Sequence, residues 1–405
     1  MSASQIEAST PLLAKSVRVT GALLAVASLF SGFSTWAFNT GAIPLPPVAF
    51  ITLVLILASA AILLDPLMLG AARVSGWSVA SACLAMLAFL WSSGSEIALQ
   101  EAQTRVLSAL LLVGFSILMA EESTRTVTRF AIAVSTLLAV ALNIWEITHP
   151  MSFSMALGRS AGLYMNPNIA GAALVTGMLM ALPVVPARAR EAFVLVVGIG
   201  VFLTLSRGAL LCFGVVLVIL LGSNQLGAKR ISLMVVGGLF IFGSLTSAVL
   251  ASGELSYLNV GAERFVKQRL GIGTREELVS DESASSRSQL VSRALDLFGE
   301  RPITGFGTGA TVEWSEAEST HNIYARHIAE YGVLGVILMP SLLVLAWPRH
   351  DRCSLPIYRS TGRAFVIFVA LWGMFSHNVA DDSFVLIGIA LTIALPSRPR
   401  LEYQS

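Results

Sequence analysis

The chain has 405 residues, 55% of them hydrophobic and only 12% charged, with a net charge of +2. Soluble domains carry roughly 25% charged residues, so a cytosolic enzyme and a nucleic-acid-binding protein are both excluded. The mean hydropathy of +0.77 points instead to an all-α polytopic membrane protein.

Apolar runs near the ~20 residues needed to cross a bilayer recur along the chain. They predict about twelve transmembrane helices: Val19–Phe38, Leu45–Leu64, Gly76–Trp91, Val106–Ala120, Val127–Ile147, Asn168–Val185, Phe193–Leu205, Gly208–Leu221, Ile231–Ala251, Asn322–Trp347, Ala364–Val379 and Ser383–Leu395. The first follows Lys15 and Arg18 and is read as a retained anchor. Alternate connections are basic. Lys15 and Arg18, Arg73, Arg125 and Arg129, Arg188 and Arg190, Lys229 and Arg230, Arg349, Arg352, Arg359 and Arg363, and Arg398 and Arg400 fall on one side. The short connections opposite hold Arg105, Arg159 and Arg207. The positive-inside rule then puts both termini in the cytoplasm.

One connection is long. It divides the chain into residues 1–251 with nine spans, a loop domain at 252–320, and residues 321–405 with three spans and a cytoplasmic tail, all within one membrane domain. In the loop, Leu290, Ala294, Leu297 and Phe298 recur at helical spacing and Pro302 follows, so amphipathic helices are expected to lie over the membrane mouth. Residues 271–284 read as its loosest part. Cys83, Cys212 and Cys353 show neither zinc spacing nor a disulfide framework and read as packing residues.

Candidate chemistry gathers where the loop meets the tenth span, in His321-Asn322-Ile323-Tyr324 and onward to Gly335. Ser319 or Thr320 is expected to cap the helix that His321 opens. A helix N-terminus welcomes a diphosphate and keeps a nearby imidazole neutral, as a general base requires. An interfacial histidine satisfied by a backbone carbonyl is the plainer alternative. Tyr324 reads equally as an interfacial anchor, Arg326 and Glu330 as a helical pair, and Gly332 and Gly335 as close-packing positions. Arg207, at the edge of two apolar spans, needs a partner or must snorkel, and its planar fork suits phosphate. Asn168 is expected to cap the sixth span. His377, Asn378, Asp381 and Asp382 lie on the last outer turn, where Asp381 or Asp382 would hold a cation or orient a hydroxyl, although a metal needs more converging oxygen ligands than the sequence shows. Gly305-x-Gly-x-Gly309 is either an anion nest or a plain turn. There is no Walker motif or dinucleotide fingerprint, so any energy arrives with the substrate.

The spacing His321-Asn322-x9-Gly332-x-x-Gly335 resembles the signature of the O-antigen ligase family of membrane glycosyltransferases, which also contains Wzy-type polysaccharide polymerases. Arg207 to Leu211 matches that family's Arg-x3-Leu pattern. Arg287 to Gly309 is similar to its loop helix and Pro-x-x-Gly-x-Gly turn, although Val291 or Ser292 stands where the family commonly has tryptophan. The resemblance implies a GT-C-like helical fold in the bacterial inner membrane with a site facing the periplasm. It implies transfer of a glycan, with inversion and without metal or cofactor, from undecaprenyl diphosphate to the lipid A–core oligosaccharide. His321, Arg207 and Arg287 would be catalytic. Asn322, Tyr324, Asn168, His377 and Asp381 would contact substrate, and Arg264 and Arg269 are alternatives to Arg287 for binding the diphosphate. A polymerase joining carrier-linked repeats is the first rival. A transporter or flippase of the lipid-linked glycan is the rival from another class.

Overall fold

A computed structural model describes residues 12–65, 74–156, 158–232, 282–313, 320–348 and 355–394, with side chains of the helix at 282–300 described from Ser288 onward. Every regular element among the described residues is helical. In chain order these are α1 (Leu12–Leu24, running on as a π-helical turn, Ala25–Phe30), α2 (Phe33–Asn39), α3 (Pro47–Leu64), α4 (Ser75–Phe89), α5 (Glu96–Leu118), α6 (Glu122–Thr148), α7 (Pro167–Ala181), α8 (Arg190–Leu203) and α9 (Arg207–Gly222). After the undescribed stretch come α10 (Glu282–Glu300), α11 (Ala310–Glu313), α12 (Ile323–Tyr331), α13 (Val333–Ala346), α14 (Pro356–Trp372) and α15 (Ser383–Ile393).

Four segments are long and apolar enough to cross a membrane, namely Leu12–Phe30, Pro47–Leu64, Glu96–Leu118 and Glu122–Thr148, and α4, α7, α9, α13 and α15 are shorter apolar helices. The packing is that of a membrane protein. α7 and α15 are apolar on every face, and almost every residue of both is buried. A helix apolar all round has no polar face to present and belongs inside. α7 is surrounded by α6, α8, α9, α14 and α15. The outer helices turn apolar faces outward instead: Leu53, Ile56 and Leu63 on α3, Phe130, Val134 and Leu138 on α6, and Val336, Ile337 and Val344 on α13 are all exposed. Apolar area of this extent is stable against lipid, not water.

The boundaries depart from the sequence expectation in several places; α14, for one, runs from Pro356 to Trp372 where the sequence predicts the eleventh span at Ala364–Val379. The first span divides at Ser31–Gly32, where the π turn ends and Gly32 takes φ +76° against the Leu163 backbone. The fourth span begins at Glu96, ten residues earlier than Val106, because Ser95 caps it through a bond from the Ala98 amide (3.1 Å). The expected Asn322–Trp347 span is two helices. Gly332, at φ +60° and ψ −140°, separates α12 from α13, and a Cβ there would lie 2.5 Å from the Ile303 carbonyl oxygen. Only glycine tolerates that backbone and that approach. Gly335 then lets α13 lie against the backbone of His327, so the glycine pair of the motif folds one helix back on the next.

The loop helix is present as expected. Ala294 of α10 is fully buried against Ala325 and Ala329 of α12, flanked by Val291 and Leu297. It starts at Glu282, so residues 282–284 are helical; residues 271–281 of the expected loose stretch, the ninth expected span from residue 233 onward, and Arg264 and Arg269 lie outside the described residues. The glycine run after α10 is no anion nest. Phe306 and Gly307 donate their amides to the carbonyls of Ala329 and Glu330 (2.9 and 3.0 Å), and a Cβ on Gly307 or Gly309 would strike the backbone of α4 or α5. The run is a ribbon threaded between packed helices.

The helix ends sort into two sets. One end gathers the α4–α5 turn, the C-terminus of α6, the N-termini of α7, α9 and α12, and the turn between α14 and α15. The opposite end holds a buried ion cluster in which Arg18 meets Asp65 (2.9 Å) and Glu121 (3.7 Å) and Lys15 meets Glu121 (3.3 Å). There too Arg129, 2% exposed, donates to the carbonyls of Met180 (2.6 Å) and Leu391 (3.5 Å).

Candidate functional site

The first set of ends carries the motif residues. α12 is fixed at its start by the Ile323 amide, which donates to the Gly373 carbonyl at the end of α14 (2.9 Å). Its cap is Asn322, not Thr320: the Asn322 Oδ1 accepts from the amides of Tyr324 (3.0 Å) and Ala325 (3.1 Å). An asparagine in extended conformation reaches two otherwise orphaned amides, whereas Thr320 is buried and turns its hydroxyl to the Asn322 carbonyl (3.2 Å). His321 therefore sits one position outside the helix. It takes φ +48°, a left-handed conformation costly for a residue with a Cβ.

The His321 ring meets His377 edge to face, with centroids 5.5 Å apart and planes at 74°. The last turn therefore reaches the motif, as Phe375 reaches α9: a Cβ on Gly208 would lie 3.0 Å from the Phe375 ring. Arg207, the first residue of α9, is exposed at this end, behind the Ser206 cap. Beside it, Arg159 donates Nε to the Thr204 carbonyl (2.9 Å) and Nη2 to Asn168 Oδ1 (2.8 Å). Asn166, followed by Pro167, caps α7 instead of Asn168 (2.9 Å to the Asn168 amide), which leaves the Asn168 side chain to hold Arg159. Proline at the first helical position is preorganised for this start.

Beneath the histidines lies a charged network. Arg326 is fully buried and divides its fork among three partners: Nε to Glu330 (3.2 Å), Nη1 to Asn378 Oδ1 (3.1 Å), and Nη2 to Glu101. Glu101 also faces Arg105 (3.9 Å), and Arg105 pairs with Asp381. Thr311 donates to Glu330 (2.8 Å). The expected Arg326–Glu330 pair is therefore one link of a chain reaching from α12 to α5 and the last turn. Glu101 is missed, and Arg105 is read as a loop residue, because the expected fourth span begins after both. The Ser95 cap and their i, i+4 spacing are the signals that would have found them.

Burial, aided by the Arg326 cation and by His321 and Arg105, holds the His377 pKa down to about 3. In the same turn, burial and the Asp381 charge push Asp382 up to about 8. The site thus offers uncharged imidazole and carboxyl groups beside exposed cation.

Of the remaining sequence candidates, Tyr324 gives its hydroxyl to the Ala370 carbonyl (2.8 Å) and its ring to Gly373, which ties α12 to α14. Arg287 lies on α10 one turn before Val291. Val291, Leu295, Asn322, Tyr324, Ala325, Ile328, Gly335 and Val336 line an open, mostly apolar groove of about 310 Å³ between α10 and the α12–α13 pair. Its polar end is Asn322, next to His321.

The fold and this site define a polytopic membrane protein, helical in every regular element among its described residues, with the motif residues gathered at one end of the bundle. A family model described as O-Antigen ligase (Wzy_C) matches residues 192–339, from α8 through most of α13. No curated protein matches the chain.

Proposed function

We propose that this protein is an O-antigen ligase, joining a glycan carried on undecaprenyl diphosphate to a sugar hydroxyl of the lipid A–core oligosaccharide at the periplasmic face of the inner membrane. The observation that carries the reading is the setting of His321: an imidazole held outside a capped helix, faced by His377 and within reach of the end that exposes Arg207. In the reaction the acceptor oxygen attacks the anomeric carbon. The bond to the diphosphate oxygen breaks on the opposite face, and the hydroxyl proton passes to His321. Arg207, with Arg287 from α10, meets the charge that grows on the departing diphosphate. The groove beside Asn322 suits the carrier's isoprenoid chain, since it is apolar along its length and opens onto the exposed face of α13. His377 would contact substrate next to His321. Asn322, Tyr324, Asn168 and Asp381 support that surface from within their own hydrogen bonds and ion pairs.

The test is reconstitution with purified carrier-linked glycan and lipid acceptor. Covalent transfer without ATP is the expected result. His321→Ala abolishes it while the folded protein is retained, and Arg207→Lys lowers it because a point charge does not replace a two-pronged donor. Full transfer by the His321→Ala protein would remove the base. Growth of the glycan on its carrier would show a polymerase, and leaflet exchange without a new bond would show a flippase.

A further inference from the structure

Resting on the transfer reading, we propose that Arg326 is the positioning residue of this site: through Asn378 it fixes the turn that presents His377 to His321. The geometry argues this in three steps. First, Arg326 belongs to α12, which begins with the Asn322 cap directly after His321, so it shares a rigid element with the histidine's own anchor. Second, its three nitrogens engage three separate pieces of the structure: Glu330 on α12, Glu101 on α5 and Asn378 in the last turn. A planar fork does this and a single ammonium does not. Third, Asn378 is the hinge of that turn. Its carbonyl accepts the amides of Asp381 (2.7 Å) and Asp382 (2.9 Å), its side chain is held by Arg326, and His377 is its chain neighbour.

A stabilising role alone does not account for this arrangement. Glu101, Glu330 and Asp381 outnumber Arg326 and Arg105, and all of them sit in or near the interior. Buried ion pairs contribute little net stability against apolar packing, and their best-attested use is to select one geometry. Here the geometry selected is the approach of two imidazoles carried by separate elements.

Two measurements test this. In the full-length protein reconstituted with donor and acceptor, Arg326→Lys and Asn378→Ala lower kcat with little change in donor KM. The expected loss is about a hundredfold, the size of effect that a misplacement of about 1 Å produces. The second measurement does not depend on activity. Cysteines at 321 and 377, in a chain whose three native cysteines are replaced, cross-link readily with Arg326 intact and several-fold more slowly in the Arg326→Met background. Unchanged cross-linking in that background overturns the proposal, as does wild-type kcat in Arg326→Lys or Asn378→Ala. If the parent protein transfers no glycan, the enzymatic reading fails, while the cross-linking result still decides the role of Arg326.

Discussion

His377 and Asp382, five residues apart, are both uncharged near neutrality and respond to pH in opposite directions. His377 titrates far lower in the folded protein than the ordinary histidine pKa of about 6.5. Its contribution to stability is complete above that value and is lost as pH falls toward about 3. Asp382 titrates higher than an ordinary aspartate, so its contribution is complete below about 3.8 and is lost as pH rises through about 8. Asp382→Asn keeps the neutral shape and removes the second dependence. Melting curves in detergent across this range are therefore expected to favour the variant increasingly as pH climbs from about 4 to about 8, with no such gain below it. A difference independent of pH would show that Asp382 is ionised in the folded state. At this scale the sequence exposed His321 and Arg207 because a spacing motif marks them. It did not reveal that Tyr324 and Asn322 are committed to Ala370 and to the helix cap, since those partners come from tertiary placement or from where α12 actually starts.

Among the elements, the connection from α6 to α7 is organised by one buried carboxylate. Glu146, 3% exposed, accepts four backbone amides, from Phe153 (3.1 Å), Ser154 (2.6 Å), Ala161 (2.8 Å) and Gly162 (3.1 Å). Charge-assisted bonds of this kind each contribute about 1.5–3 kcal/mol. Glu146→Gln keeps the volume but loses the charge and half of the acceptor capacity. It is expected to cost about 2–4 kcal/mol and to raise amide exchange at residues 153, 154, 161 and 162, with Arg159 released from its setting. Unaltered exchange at those amides would contradict this role. Gly332→Ala meets both a left-handed φ and the Ile303 carbonyl. A loss of several kcal/mol is expected, read as a lower melting temperature together with lost transfer. The long apolar spans were legible because hydropathy alone marks them. The early start of α5 and the break at Gly332 were not. A polar first turn looks like loop until its cap is recognised, and α12, with Arg326, His327 and Glu330 among its apolar residues, passes to the apolar α13 through Gly332 alone, with no loop between them.

For the molecule as a whole, two polar ends face apart across apolar walls: the histidine end, and the end holding Lys15, Arg18, Asp65 and Glu121. Single cysteines placed at Arg207 and at Lys15 are expected to react with impermeant thiol reagents from opposite sides of sealed vesicles. Labelling of both from one side would refute the arrangement. Distribution of basic residues anticipated this division, though not that Arg129, counted among loop charges, is buried inside.

That arginine limits how the protein can move. By joining the carbonyls of Met180 and Leu391 it staples α7 to α15, the two innermost helices, at the end remote from the histidines. A machine that rocks open to carry a headgroup through its middle has to part its central helices. On the proposed reading, a centre pinned in this way serves as a fixed anvil, and a lipid-linked substrate is expected to arrive sideways, along the exposed apolar flank of α13.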